Sequence, residues 1–104
     1  MNSAMENRVL NDIITRLRQQ KQYLYDTFGV TRIGIFGSFA RGDQTATSDL
    51  DVVIEMEGSR KNIHSFLQLQ RYLEKETARK IDLGFEHSLK PVVKERIQEQ
   101  IIYV

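Results

Sequence analysis

Residues 49–55 constrain the fold more than any other part of the sequence, because polar and apolar residues alternate along them. One side of this segment carries Leu50, Val52 and Ile54, and the other carries Asp49, Asp51, Val53 and Glu55. In a β-strand, alternate side chains point to opposite faces. The segment therefore predicts a strand with one apolar face, which other elements must cover.

Two further strands and three helices are predicted around this segment. The strands are the β-branched run Thr31–Phe36 and the segment Lys80–Glu86, which carries Ile81, Leu83 and Phe85 on one side. Apolar residues at helical spacing predict helices over about residues 6–25, 63–78 and 89–101. The order predicts a single domain over residues 1–104 of the α+β (α/β) class, with a small mixed sheet of three or more strands packed with helices.

Particular residues indicate where the predicted helices begin and end. Gly29 is suited to close the first helix. Ser59 or Asn62 can cap the second helix, and Ser88 with Pro91 marks the cap and first turn of the third. We expect the apolar C-terminal residues Ile101–Val104 to pack in the core, with the seating of a partner or of a second copy as the alternative.

Charge and composition narrow the class of protein. Fifteen basic and fourteen acidic residues leave a net charge of +1, so there is no sign of the strongly basic surface that nonspecific nucleic-acid binding requires. Cysteine is absent, which rules out disulfides and thiolate metal sites. No apolar run reaches the roughly 20 residues of a membrane span, and the N-terminus lacks the apolar core of a signal peptide. We expect a cytoplasmic protein.

Asp49 and Asp51 are the first candidate site residues. They lie two apart on one predicted strand, so both carboxylates project from the same face, about 7 Å apart at the backbone. Carboxylates at this spacing can converge on a hard cation such as Mg²⁺. Asp82 lies opposite to Ile81 and Leu83 on the third strand, so it falls on the same side of the sheet if the strands share a core face. Three carboxylates there repel one another unless a cation is bound.

Gly37 and Ser38 are the second candidate site. They follow a predicted buried strand, and glycine permits close backbone approach and conformations closed to other residues. If a short helix begins there, its first N–H groups and the Ser38 hydroxyl can meet a phosphate. Arg41, one turn later, can add a charge-assisted contact. Taken separately, each motif is also typical of an ordinary turn or a solvated strand face.

Together the two motifs resemble a known family. Gly37-Ser38 with Ala40-Arg41-Gly42, then Ser48-Asp49-x-Asp51 and a later Ile81-Asp82-Leu83, is similar to the signature of the DNA polymerase β-like nucleotidyltransferases. In detail the chain resembles the minimal nucleotidyltransferases (MNT), the antitoxins of HEPN/MNT toxin–antitoxin pairs. The resemblance covers essentially the whole chain.

The resemblance implies a function and a set of roles. Gly37, Ser38, Arg41 and Ser48 would bind the nucleotide, and Asp49, Asp51 and Asp82 would hold two Mg²⁺ ions. The reaction would move AMP from ATP onto a hydroxyl, by family analogy a tyrosine of a partner HEPN toxin, which silences the toxin by AMPylation. Two alternatives stay open: a non-catalytic antitoxin that acts by binding, and a nucleotidyltransferase that modifies a small molecule such as an antibiotic.

Overall fold

Five helices and four strands make up the part of the chain that the structure describes. In the computed structural model the described residues are 3–104 for the backbone and 8–104 for the side chains. The helices are α1 (Ser3–Gln19), α2 (Lys21–Phe28), α3 (Ser38–Arg41), α4 (Ile63–Thr77) and α5 (Pro91–Ile97), and the strands are β1 (Val30–Phe36), β2 (Leu50–Met56), β3 (Ile81–Phe85) and β4 (Ile102–Tyr103). Short 3₁₀ turns at Gly58–Arg60 and Glu86–Ser88 follow β2 and β3.

The four strands make one mixed sheet in the order β3-β2-β1-β4. Strand β1 runs antiparallel to both β2 and β4, whereas β2 and β3 are parallel. The parallel pair needs a crossover connection, and α4 provides it. The predicted α+β class with a small mixed sheet is confirmed.

One face of the sheet packs against helices α1, α2 and α4 to form the core. The alternating apolar residues of β2 predicted from the sequence, Leu50, Val52 and Ile54, are at most 1% exposed. They join buried side chains from the other layer, Leu17, Leu24, Leu69 and Leu73. The opposite face of the sheet carries Asp51, and the chain from α5 to β4 contacts this face where the Ile101 side chain lies over Gly34.

The first predicted helix is two helices, and the prediction of a single helix over residues 6–25 is wrong. The break falls at Gln20, whose N–H donates to the carbonyl oxygen of Leu17 at 3.1 Å. The Gln20 side chain is tied to α4, because its Nε2 donates to Glu76 and its Oε1 accepts from the Tyr72 hydroxyl. The apolar spacing continues through the break, so only these tertiary contacts reveal it. Gly29 closes α2 with a left-handed φ of 76°, as predicted.

At the third predicted helix, the expectations hold in part. Pro91 occupies the first turn of α5, as predicted, but Ser88 belongs to the preceding 3₁₀ turn and the capping position falls to Lys90. The helix ends at Ile97 rather than near residue 101, since the chain leaves it to pair Ile102 with Ile35 of β1.

The cap of α4 is as predicted, and the prediction of core packing for the C-terminal residues holds in part, since Tyr103 is exposed. The Asn62 side chain accepts a hydrogen bond from Ser65 N at 2.8 Å, which selects Asn62 over Ser59 as the cap of α4. Ile102 and Val104 pack partly buried against the core. No helix in the described part of the chain is long and apolar enough to cross a bilayer.

Candidate functional site

The turn after β1 brings the two sequence motifs into direct contact. Gly37 has φ 74° and ψ −151°, a conformation essentially restricted to glycine. A Cβ atom at this position would lie 2.0 Å from Oδ2 of Asp51. The contact follows from the sheet register, which pairs Phe36 with Asp51. Glycine is therefore required so that the Asp51 carboxylate can lie against the turn.

The carboxylates of β2 and β3 face each other across the parallel strand pair. Asp51 and Asp82 are direct register partners, and side chains of paired residues share one face of a sheet. Asp49 immediately precedes β2, two residues before Asp51. Asp51 is half-buried, while Asp49 and Asp82 are exposed. The structure thus puts the three predicted acidic residues at the same end of the sheet, with Asp51 in the centre.

This arrangement raises the pKa of the Asp51 carboxyl. Burial is the main cause that raises the pKa of the Asp51 carboxyl above its ordinary value, and the negative charges of Asp82 and Asp49 raise the pKa further. The positive charge of Arg41 acts in the opposite direction. Ionised Asp51 is therefore held at an energetic cost, which a bound cation would offset.

The carboxylates of Asp49, Asp51 and Asp82 are suitable ligands for a hard cation, although the three side chains do not form a compact cluster. Among the described residues, no three His, Asp or Glu side chains are close enough to form a ready-made metal cluster. All the donors that Asp49, Asp51 and Asp82 offer are carboxylate oxygens, the ligands that Mg²⁺ prefers. The chemistry of the three residues is thus compatible with Mg²⁺.

Hydrogen-bond donors lie beside these carboxylates. Helix α3 begins at Ser38, and its first internal hydrogen bond runs from Arg41 N to Gly37 O at 3.0 Å. The N–H groups of Ser38, Phe39 and Ala40 precede that bond and have no acceptor within the helix. The Ser38 hydroxyl is half-buried at the same turn. These groups can donate hydrogen bonds to an oxyanion that lies next to Asp51.

The Arg41 side chain is held by two neighbours that the sequence motif does not include. Its Nε lies 3.1 Å from Oδ2 of Asp43, and its Nη1 lies 3.3 Å from Oε1 of Gln100. The same Gln100 oxygen accepts from Gly37 N at 3.2 Å. Sequence reasoning missed Gln100, because nothing in the local sequence marks a residue 59 positions away from Arg41 as its partner.

Ser48 lies in the turn that leads into β2. Its Oγ accepts from Thr45 N at 2.8 Å, and its N–H donates to Thr45 O at 3.1 Å. The Ser48 Oγ also lies 3.2 Å from Thr45 Oγ1, and the Ser48 proton is available to a ligand where Thr45 is the donor of that contact. A cavity of about 350 Å³ opens beside Asp49 and is lined by residues 46–49 and 78–80, including Arg79 and Lys80. The site therefore has basic side chains at its border despite the near-zero net charge.

Strand β1 turns through Gly37 and Ser38 into the short helix α3, and the next two strands carry the paired aspartates Asp51 and Asp82. This combination is characteristic of a nucleotidyltransferase. The sequence profile of the nucleotidyltransferase domain matches residues 17–104. The chain belongs to this family, and it is an enzyme of the nucleotidyltransferase class.

Named relatives narrow the group further. A Methanocaldococcus jannaschii protein, provisionally named a protein adenylyltransferase, is 40% identical over 99 residues, which cover 93% of this chain and 99% of that protein. The protein adenylyltransferase MntA of Thermococcus cleftensis is 33% identical over 95 residues, covering 91% of this chain and 95% of MntA. The predicted resemblance to the minimal nucleotidyltransferases is confirmed.

Solved structures share the fold. A protein provisionally identified as a minimal nucleotidyltransferase has a TM-score of 0.68 at 24% identity and covers 98% of this chain and 95% of that chain. A toxin–antitoxin structure with AMP-PNP has a TM-score of 0.65 at 22% identity, and the match covers 90% of this chain and 70% of that chain. The complex of a tri-AMPylated Shewanella oneidensis HEPN toxin with an MNT antitoxin has a TM-score of 0.56 at 18% identity, and the match covers 94% of this chain and 70% of that chain.

Proposed function

We propose that this chain is a Mg²⁺-dependent protein adenylyltransferase that moves AMP from ATP onto a tyrosine hydroxyl of a HEPN-type toxin and so acts as its antitoxin. The contact between Gly37 and the Asp51 carboxylate carries the proposal. Because of this contact, the oxyanion-binding turn and the carboxylates lie side by side in a single site. Transfer of a nucleotidyl group needs both of these features. The names of the MntA relative and of the AMPylated toxin complex support the choice of AMP and of the acceptor.

In the proposed reaction, the turn of α3 and Arg41 bind the triphosphate. The Ser38 hydroxyl and the N–H groups that precede the first hydrogen bond of α3 donate to phosphate oxygens. Arg41 adds a charge-assisted contact from the guanidinium, and the Ser48 hydroxyl supplies a further donor. Asp49, Asp51 and Asp82 would hold Mg²⁺, which when bound would neutralise charge on the triphosphate and lower the pKa of the attacking hydroxyl.

The transfer itself exchanges one phosphorus–oxygen bond for another. The tyrosine oxygen forms a bond to the α-phosphorus, and the bond from that phosphorus to the oxygen bridging to the β-phosphate breaks. Pyrophosphate leaves, and the hydroxyl proton passes to a carboxylate that we assign to Asp82. Asp82 is exposed and lies on β3, the outermost strand of the sheet on that side, where an acceptor from another protein can reach it.

The shape of the site supports a macromolecular acceptor. Asp49 and Asp82 are exposed, and Asp82 lies on β3, an edge strand of the sheet. An enzyme for a small molecule is expected to enclose its substrate in a concave pocket, whereas an open sheet edge suits a side chain presented by a partner.

Transfer of label from ATP tests the proposal. The protein is incubated with Mg²⁺, a HEPN protein encoded beside it, and ATP labelled either on the α- or on the γ-phosphate. We expect label on the toxin only from α-labelled ATP, its loss with EDTA, and its loss when the acceptor tyrosine is changed to Phe. Asp51→Asn should abolish transfer, whereas Asp12→Asn, at an exposed position of α1, should leave it intact.

Three outcomes contradict the proposal. Label from γ-labelled ATP would identify a kinase instead. Full neutralisation of the toxin by Asp51→Asn would favour a non-catalytic antitoxin. Transfer to a small molecule without transfer to any protein would favour the antibiotic-modifying alternative.

A further inference from the structure

Gln100 lies beside the candidate nucleotide site although it is distant from every motif residue in the sequence. Strands β1 and β4 pair Ile35 with Ile102, and continuing this antiparallel register places Gln100 opposite Gly37. The side-chain oxygen of Gln100 accepts two hydrogen bonds, from Gly37 N at 3.2 Å and from Arg41 Nη1 at 3.3 Å. One half-buried amide therefore connects the start and the end of the turn of α3.

We propose that Gln100 is a positioning residue for nucleotide binding: its amide oxygen fixes the Gly37 turn and aims the Arg41 guanidinium at the triphosphate. This role rests on the proposed function of the site. Gln100 touches neither the substrate nor the reacting atoms, and it acts through Gly37 and Arg41.

The geometry of Arg41 explains how this aiming works. A guanidinium carries five N–H donors in one plane. The Arg41 Nε donates a hydrogen bond to Asp43, and Nη1 donates one to Gln100. Contacts at two of its nitrogens therefore fix the plane of the guanidinium. Nη2 keeps both of its donors for a phosphate oxygen. A side chain held in this way loses less conformational entropy when nucleotide binds, because its rotamer is already selected.

Gln100 can act as a fixed support because the residues after it are anchored to β1. The Ile101 side chain covers Gly34, where an added Cβ would lie 3.0 Å from Ile101 Cδ1. The Tyr103 hydroxyl donates to Glu86 at 2.7 Å, and its ring lies under the Arg32 guanidinium. Val104 N donates to Ile33 O at 2.9 Å.

Steady-state kinetics with varied ATP test the proposal. Gln100→Met keeps the length of the side chain and removes the acceptor oxygen. We expect the KM for ATP to rise about three- to tenfold, in the range expected for the net loss of one ordinary hydrogen bond, while kcat stays within twofold. In an Arg41→Gln background most of this effect should disappear, because residues that act through one another are not additive.

Two further measurements separate a local effect from a general loss of structure. Gln98→Met changes an exposed residue of the same segment and should alter neither kinetic constant. Amide hydrogen exchange at Gly37 should be faster in Gln100→Met than in the wild type, because its N–H loses its acceptor. If Gln100→Met unfolds, Gln100→Ala, which also removes the acceptor oxygen, provides the same comparison.

The outcomes are distinct for each proposal. An unchanged KM with unchanged exchange at Gly37 would overturn the role of Gln100. A lower KM in Gln100→Met would also overturn it, since Gln100 would then compete with the triphosphate. A wild-type protein that transfers no AMP would refute the proposed function, and the exchange rate of Gly37 would still report whether Gln100 holds the turn.

Discussion

Replacing Gly37 with alanine should destroy the site by a mechanism that can be separated from loss of stability. The added Cβ would lie 2.0 Å from Oδ2 of Asp51, whereas an ordinary carbon–oxygen contact is about 3.3 Å. The carboxylate, the turn or both must therefore move by about 1.3 Å in total. A misplacement of about 1 Å at a catalytic centre can reduce the rate about 100-fold.

The same substitution also has a backbone cost. At φ 74° and ψ −151° an alanine is strained by about 1–3 kcal/mol. We therefore expect Gly37→Ala to lower the free energy of unfolding by that amount and the rate of AMP transfer by about two orders of magnitude. Urea denaturation measures the first quantity and release of pyrophosphate measures the second.

Gly42→Ala is the matched control for this prediction. Gly42 also has a positive φ, 81°, but an added Cβ there meets nothing within 4 Å. The cost in stability should be similar, about 1–2 kcal/mol, while transfer stays within about threefold of the wild type, as expected when no side chain is displaced. Wild-type activity in folded Gly37→Ala, or an equal loss of activity in Gly42→Ala, would refute the steric argument.

Three further substitutions test the electrostatics and the packing. Asp51→Asn should raise the melting temperature of the metal-free protein slightly while it abolishes transfer, because it removes a charge that burial, Asp82 and Asp49 disfavour; a lower melting temperature would show that the ionised carboxylate stabilises the fold. Ala78→Gly should stabilise the protein by about 0.5–1 kcal/mol in urea denaturation, since Ala78 ends α4 with a left-handed φ of 54°; no gain would mean that Ala78 is unstrained. Leu69→Ala should lower the free energy of unfolding by about 2–5 kcal/mol, because Leu69 is 0% exposed in the core; a loss below about 1 kcal/mol would contradict the tight packing of α4 on the sheet.

The sequence by itself determined the class of fold and the identity of the chemical groups. Alternation along residues 49–55 predicted β2, its buried face and the outward direction of Asp51 without any structure, because a period of two depends only on local geometry. Gly37 was marked by the same kind of local rule, since a glycine after a buried strand signals a backbone conformation that other residues avoid. The order of the elements then predicted one sheet packed against helices, because apolar faces must be covered.

Only the tertiary structure decided how these groups meet. The break at Gln20 depends on contacts with Tyr72 and Glu76 of α4, and the apolar spacing gave no sign of it. Strand β4 is two residues long and exists because β1 offers it a partner. That pairing carries Gln100 to Gly37 and Arg41, which lie 63 and 59 positions earlier in the chain. Contacts of this kind follow from sheet register, which no local pattern encodes, so the candidate site was predicted as a set of residues and became a geometry only in the folded chain.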